Sequence, residues 1–124
     1  MKNTMIIKDK ENKMIDASGR TLGRVASEVA MSLMGKTKAT FERNKYSGLS
    51  VTVMNASKLR ITPKKLAKIY HTRYSGIPGG LRILKGTETA QKLGYRELIK
   101  LAIYQMLPAN KLRRRMMKNL KIEN

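Results

Sequence analysis

Few residues in this chain have the types and spacing for catalysis. Gly35-Lys36-Thr37 imitates the end of a phosphate-binding P-loop. That motif needs a glycine five residues before its second glycine, where this chain has Ala30, and it follows a strand, whereas Gly35 follows a helical pattern. Gly76-Ile77-Pro78-Gly79 matches the GXXG loop of KH domains in letters, without the helix pair that flanks such a loop. The single histidine, His71, has no Ser or Cys nucleophile set beside it by any motif. It fits a surface or RNA-contacting position better than a catalytic one. Asp16 and Glu28 are the acids near the first helical pattern, and Asp16 reads as a hydrogen-bonding group at a strand end. There is no cysteine, so disulfides and Cys-ligated zinc are excluded. With no catalytic constellation to hold one, no cofactor or metal is expected.

The chemistry that does stand out is charge. Lys and Arg number 27 against 8 Asp and Glu, a formal net charge of +19 over 124 residues. A small domain carries a net charge of magnitude roughly 2 to 8. Repulsion among so many cations opposes compaction, so the chain is suited to a polyanion that neutralises it. Nucleic acid is the first such partner and an anionic membrane surface the second. No acid lies between Glu42 and Glu88, and none between Glu97 and Glu123. Acid-free spans of that length read as contact surfaces.

Within those spans the cations fall into groups. Lys36, Lys38, Arg43 and Lys45 occupy one connector, and Lys64, Lys65 and Lys68 a second stretch. Arg73 and Arg82 bracket a loop built from Tyr74, Ser75, Gly76, Pro78, Gly79 and Gly80, with His71 just ahead of it. Its glycines and proline favour a shaped turn over a helix or strand. Cations, a flat ring and backbone free of bulk suit contact with folded RNA. Arg113, Arg114 and Arg115, followed by Lys118, are cations with no acid nearby to separate them. Phosphate contact explains them better than a solvated helix face does.

These groups need elements to position them. Residues 1–13 read as a loosely held arm with at most one short strand, and residues 14–124 as a single domain. Met14 to Ala17 reads as a first core strand. Leu22, Val25, Ala26, Val29, Ala30 and Leu33 repeat at helical spacing, predicting a helix from Thr21 to Met34 that stops at Gly35. Gly23 costs that helix about 1 kcal/mol relative to Ala; a close approach to a neighbouring backbone would explain it. Val51 and Val53 alternate with polar residues in a second strand, Leu49 to Met54. Strand, helix and strand in that order predict a parallel βαβ unit.

Leu59 and Ile61 suggest a short third strand, and Lys64 to Tyr70 is ambiguous between helix and strand. Thr87 is a candidate N-cap for a short helix to Leu93. Tyr95, Leu98, Ile99, Ala102, Ile103 and Met106 line one face of a longer one that ends before Pro108. Asn110 can cap a last helix with Leu112, Met116 and Leu120 inward. Methionines 31, 34, 106, 116 and 117 read as core filling.

Several stretches, taken together, resemble the thirteenth protein of the large ribosomal subunit in its bacterial or organellar form. Asp16 to Ser27 is similar to that family's opening signature, Leu33-Met34-Gly35-Lys36 to its helix end, and Val51 to Ala56 to its second strand and Asn-Ala turn. Arg73 to Gly80 resembles its signature loop, Ala102 to Pro108 its late helix, and Leu120-Lys121-Ile122 its closing strand. There are departures. Tyr74, Ser75 and Ile77 stand where the family loop has His, Thr and Tyr, and Gln105 and Arg113 stand where it has glycines.

The resemblance implies an α/β fold with a small, mostly parallel four-stranded sheet flanked by helices, basic loops and an N-terminal arm. It implies a structural ribosomal protein, not an enzyme, that binds large-subunit ribosomal RNA, touches neighbouring large-subunit proteins and supports early subunit assembly. No membrane and no small-molecule substrate is implied. A free-standing RNA chaperone or regulator is the alternative. An enzyme acting on a phosphorylated substrate ranks lower, for want of a catalytic constellation. A membrane-surface role ranks lowest, since no helix pairs the cations with a large aromatic face. Met1 to Lys13 lacks the apolar run of a signal peptide, and no stretch of roughly 20 apolar residues occurs. A cytoplasmic location in ribosomes is expected, an organellar ribosome remaining open.

Overall fold

The computed structural model describes residues 12–124. The βαβ unit expected from apolar periodicity is present as β1 (Asn12–Asp16), α1 (Leu22–Met34) and β2 (Ser50–Met54). β1 runs parallel to β2, in register from Asn12 opposite Ser50 to Asp16 opposite Met54. Consecutive strand residues point to opposite faces. Val51, Thr52 and Val53 are all buried, so β2 is covered on both sides, as a central parallel strand should be. The α1 stripe of Leu22, Val25, Ala26, Val29, Ala30 and Leu33 is buried as its spacing predicts, and Gly35 ends the helix.

The chain continues through a 3₁₀ turn (Ala56–Lys58), α2 (Pro63–Lys68), β3 (Tyr70–Tyr74), β4 (Leu81–Lys85), α3 (Gly86–Leu93), α4 (Tyr95–Met106), α5 (Leu112–Lys118) and β5 (Leu120–Ile122). β5 adds in parallel to the other side of β2, giving the order β1-β2-β5. α4 packs on α1 and buries Leu98, Ile99 and Ile103. These three, with Val25, Val29, Leu33, Val51 and Val53, are the largest fully buried side chains. Each such burial contributes about 1.5–3 kcal/mol, so the contact of α1, α4 and β2 holds the domain together and the basic segments hang from it.

The α/β class and the parallel sheet agree with expectation; the strand count differs. Among the described residues the parallel sheet has three strands, and β3 and β4 form a separate antiparallel pair. Leu59 to Ile61 does not form the short strand suggested by its alternation. Arg60 bridges Thr21 at one point, while Leu59 is buried and Ile61 half-buried. The arm expected over residues 1–13 lies mostly outside the described residues, and Asn12 and Lys13 already belong to β1.

Smaller differences have local causes. Gly23 has open space where a Cβ would sit, so no close approach explains it. Leu120 begins β5 instead of extending the last helix. Met116 is buried, but Met31 and Met106 are 45% and 42% exposed and do not fill the core. Met106 lies beside α1, where its sulfur accepts the Ser27 hydroxyl at 3.5 Å.

Candidate nucleic-acid interface

The glycine loop forms the tip of the β3–β4 hairpin. Register runs from Tyr70 opposite Lys85 to Tyr74 opposite Leu81, leaving residues 75–80 to turn the chain. The Gly80 N–H donates to the Ile77 carbonyl at 3.0 Å, Pro78 follows Ile77, and Gly79 has φ 76°. Proline second and a positive-φ glycine third are the marks of a type II turn, a conformation a side chain at Gly79 would strain. A second bond, Ser75 N–H to Gly80 carbonyl at 3.3 Å, closes the tip.

α2 abuts the hairpin's base. Pro63 starts the helix, and the Thr62 hydroxyl accepts from the Lys65 N–H at 3.4 Å. Lys64, Lys65 and Lys68 are exposed. The joint is tight at Gly86, whose N–H donates to the Ile69 carbonyl at 2.8 Å. α2, β3, β4 and the start of α3 meet there.

Alternation divides the hairpin into two faces. His71, Arg73, Arg82 and Leu84 share one face. His71 is only 9% exposed, and its Nδ1 lies 3.0 Å from the Gln105 amide of α4. Burial lowers the His71 pKa below its ordinary value. The expected surface histidine is therefore an interior one that docks the hairpin on α4, on the same face as Arg73 and Arg82. Arg73 faces Arg82 directly across the strands. It also lines a hollow of about 240 Å³ with Leu84, Glu88 and Glu97. Tyr70, Thr72, Tyr74, Leu81, Ile83 and Lys85 make up the other face, all exposed.

A second cationic group lies on the connector between α1 and β2. Lys36, Lys38, Arg43 and Lys45 are exposed there. Lys45 pairs with Glu42 at 2.9 Å, a surface contact that contributes little and would yield to a phosphate. Ser47 donates to the Leu33 carbonyl at 3.0 Å, and Asn119 bonds the Tyr46 hydroxyl, which joins the connector to the end of α5. On α5, Arg114, Arg115 and Lys118 are exposed. Arg113 is half-buried. Its guanidinium stacks 3.9 Å from the Tyr104 ring centroid and donates to the Tyr104 hydroxyl at 2.8 Å. Two cationic groups thus result, α2 with the hairpin and the connector with α5. Both are tied to the C-terminal half of α4, through Gln105 and Tyr104 respectively.

The acids considered for catalysis are structural. Asp16 accepts from the Asn55 amide at 3.0 Å and the Ser18 N–H at 2.9 Å, and these bonds hold its carboxyl below the usual range. Asp16 is the strand-end hydrogen-bonding group expected of it. Glu28 is held low chiefly by Arg20, 2.7 Å away, with Lys13 at 3.6 Å. Both shifts run opposite to what a general acid needs. Tyr70 and Lys85 were not among the expected contacts. Their signal in the sequence was their place flanking the glycine loop within the acid-free span.

The chain is thus a small α/β domain of strongly basic surface, with its exposed cations on a connector, a short helix and a hairpin. The chain belongs to the ribosomal protein L13 family: the family model described as "Ribosomal protein L13" matches residues 10–122. It is similar to "Large ribosomal subunit protein uL13" of Natranaerobius thermophilus, 44% identical over 108 residues, covering 87% of this chain and 75% of that one. The protein of that name from Pseudothermotoga lettingae is 41% identical, covering 98% of this chain and 84% of its own. In Moorella thermoacetica the figures are 42%, 88% and 75%. Among the described residues no helix is long and apolar enough to cross a membrane.

Proposed function

We propose that this chain is a structural constituent of the large ribosomal subunit, that it binds large-subunit ribosomal RNA, and that it enters the particle early in assembly. The observation that carries this reading is the pairing of exposed cations with rigid backbone. α2 presents Lys64, Lys65 and Lys68 beside a hairpin whose tip is closed by two backbone bonds, in a span without a single acid from 43 to 87. A rigid backbone corner flanked by cations fits folded RNA closely, and the Tyr74 ring can stack or hydrogen-bond there. The connector and α5 supply a second contact. Family membership, and relatives named as large-subunit proteins, support the ribosomal setting.

Each neutralised phosphate releases counterions, so log affinity for ribosomal RNA should fall with log salt by about 0.7–0.9 per contact. The test combines that slope with sedimentation. Cofractionation with large subunits and with their earliest precursors, together with a steep slope, is the expected result. A flat salt dependence, or a chain found only in free cytosol, would overturn the reading; the second outcome would favour a free-standing RNA chaperone.

A further inference from the structure

The outward face of the hairpin carries apolar surface that no other part of the described chain covers. Tyr70 and Tyr74 are each 65% exposed, and Leu81 and Ile83, on the paired strand, are 60% and 59% exposed. The opposite face docks on the protein through His71 and Leu84 at its base, and its other two residues, Arg73 and Arg82, are exposed cations, so the exposed apolar side chains are confined to one face. Neither tyrosine hydroxyl has a hydrogen-bond partner among the described residues. Exposed apolar patches of this kind mark interaction sites. What covers the face is decided by charge. Lys85 stands directly opposite Tyr70, Lys68 precedes it by two residues, and the nearest acid along the chain, Glu88, lines the hollow behind the hairpin. A protein partner would have to bring its own acids. An RNA segment with unpaired bases brings flat apolar rings and phosphates together.

We infer that this face is a platform for unpaired nucleobases, with Tyr70 and Tyr74 as two stacking positions. The inference rests on the RNA-binding reading above and adds to it a residue, Tyr70, and a ligand form, single-stranded over duplex. At 3.3–3.4 Å per residue the two rings are roughly 13 Å apart along β3. That is the reach of a short unstacked stretch of two or three nucleotides, with Leu81 and Ile83 packing against the sugars between. Lys85 stands directly opposite Tyr70, so a base stacked there would have a cation close to its phosphate.

The test uses the full chain and two synthetic RNAs with equal numbers of phosphates, a stem closed by a loop of unpaired adenines and a blunt duplex. The chain has five tyrosines and no tryptophan, so stacking on this face is read as the part of the tyrosine quench that is lost in Tyr70→Leu/Tyr74→Leu. The loop RNA should bind on the order of tenfold tighter than the duplex and quench tyrosine emission. Tyr70→Phe should keep that preference. Tyr70→Leu should weaken it, and the double variant Tyr70→Leu/Tyr74→Leu, which keeps apolar area but removes both rings, should abolish it while the salt slope stays as it was. Full preference retained in the double variant would overturn the inference. Equal affinity for both RNAs with a steep salt slope would overturn the inference alone. A flat slope for both would overturn the RNA-binding reading with it.

Discussion

Replacing Gly86 with alanine probes the joint on which the hairpin and α2 depend. Gly86 is buried at the start of α3. A Cβ there would lie 2.9 Å from the Ile69 Cβ and 2.9 Å from the Leu66 carbonyl oxygen. Neither atom can swing aside, because one is fixed to the backbone and the other is backbone. Either the end of α2 or the base of β4 must move. Forcing an extra methyl into a packed site costs about 1–3 kcal/mol. For a domain of this size each kcal/mol lowers Tm by about 3–5 °C, so Gly86→Ala should melt roughly 3–15 °C below the parent. Thermal unfolding followed by circular dichroism measures this. RNA affinity should fall as well, since the displaced pieces carry Lys64, Lys65, Lys68 and the hairpin. A variant with Tm within about 1 °C of the parent would refute the close packing of this joint.

Three further outcomes follow from the geometry. Gly23→Ala fills open space on α1 and should raise stability by up to about 1 kcal/mol; a lower Tm would reveal a contact at that position. His71 titrates at a lowered pKa in the folded chain, so between that value and about 6.5 the unfolded chain holds a proton the folded one lacks. Stability should therefore be full above pH 6.5 and fall as pH drops through that window. His71→Gln should flatten the dependence in melts from pH 7.5 to 5.5, and an unchanged slope would rule out His71 as its source. Gly79→Val strains a residue at φ 76° by about 1–3 kcal/mol, whereas Ile77 is 64% exposed. Incorporation into large subunits should suffer more from Gly79→Val than from Ile77→Ala, and equal incorporation would count against the turn's backbone shape as the recognised feature.

The elements legible in the sequence were those whose burial is one-sided and repeated. α1 and α4 each turn a stripe of apolar residues to the core, and the period survives in the sequence. β2 is short but bounded by polar residues, so Val51 and Val53 stood out. The hairpin was harder. Only His71 of β3 is buried, so the strand has almost no apolar alternation of its own and reads as part of a basic stretch. Its loop was recognisable by composition, but its pairing is not local information. His71 was misplaced for the same reason. Its partner Gln105 is 34 residues away, and nothing near either residue announces the contact. Gln105 also stands where the resemblance leads one to expect glycine, so a departure from the family pattern proves to be a structural contact. The cations were legible in number and in grouping; which face each occupies required the register of β3 and β4.

Crosslinking within purified large subunits tests the central claim most directly. Ribosomal RNA adducts should map to the hairpin tip between Tyr74 and Leu81 and to Lys64, Lys65 and Lys68 on α2, with a second set on the connector from Lys36 to Lys45. Adducts confined to neighbouring proteins, with none on RNA at the hairpin or α2, would contradict it.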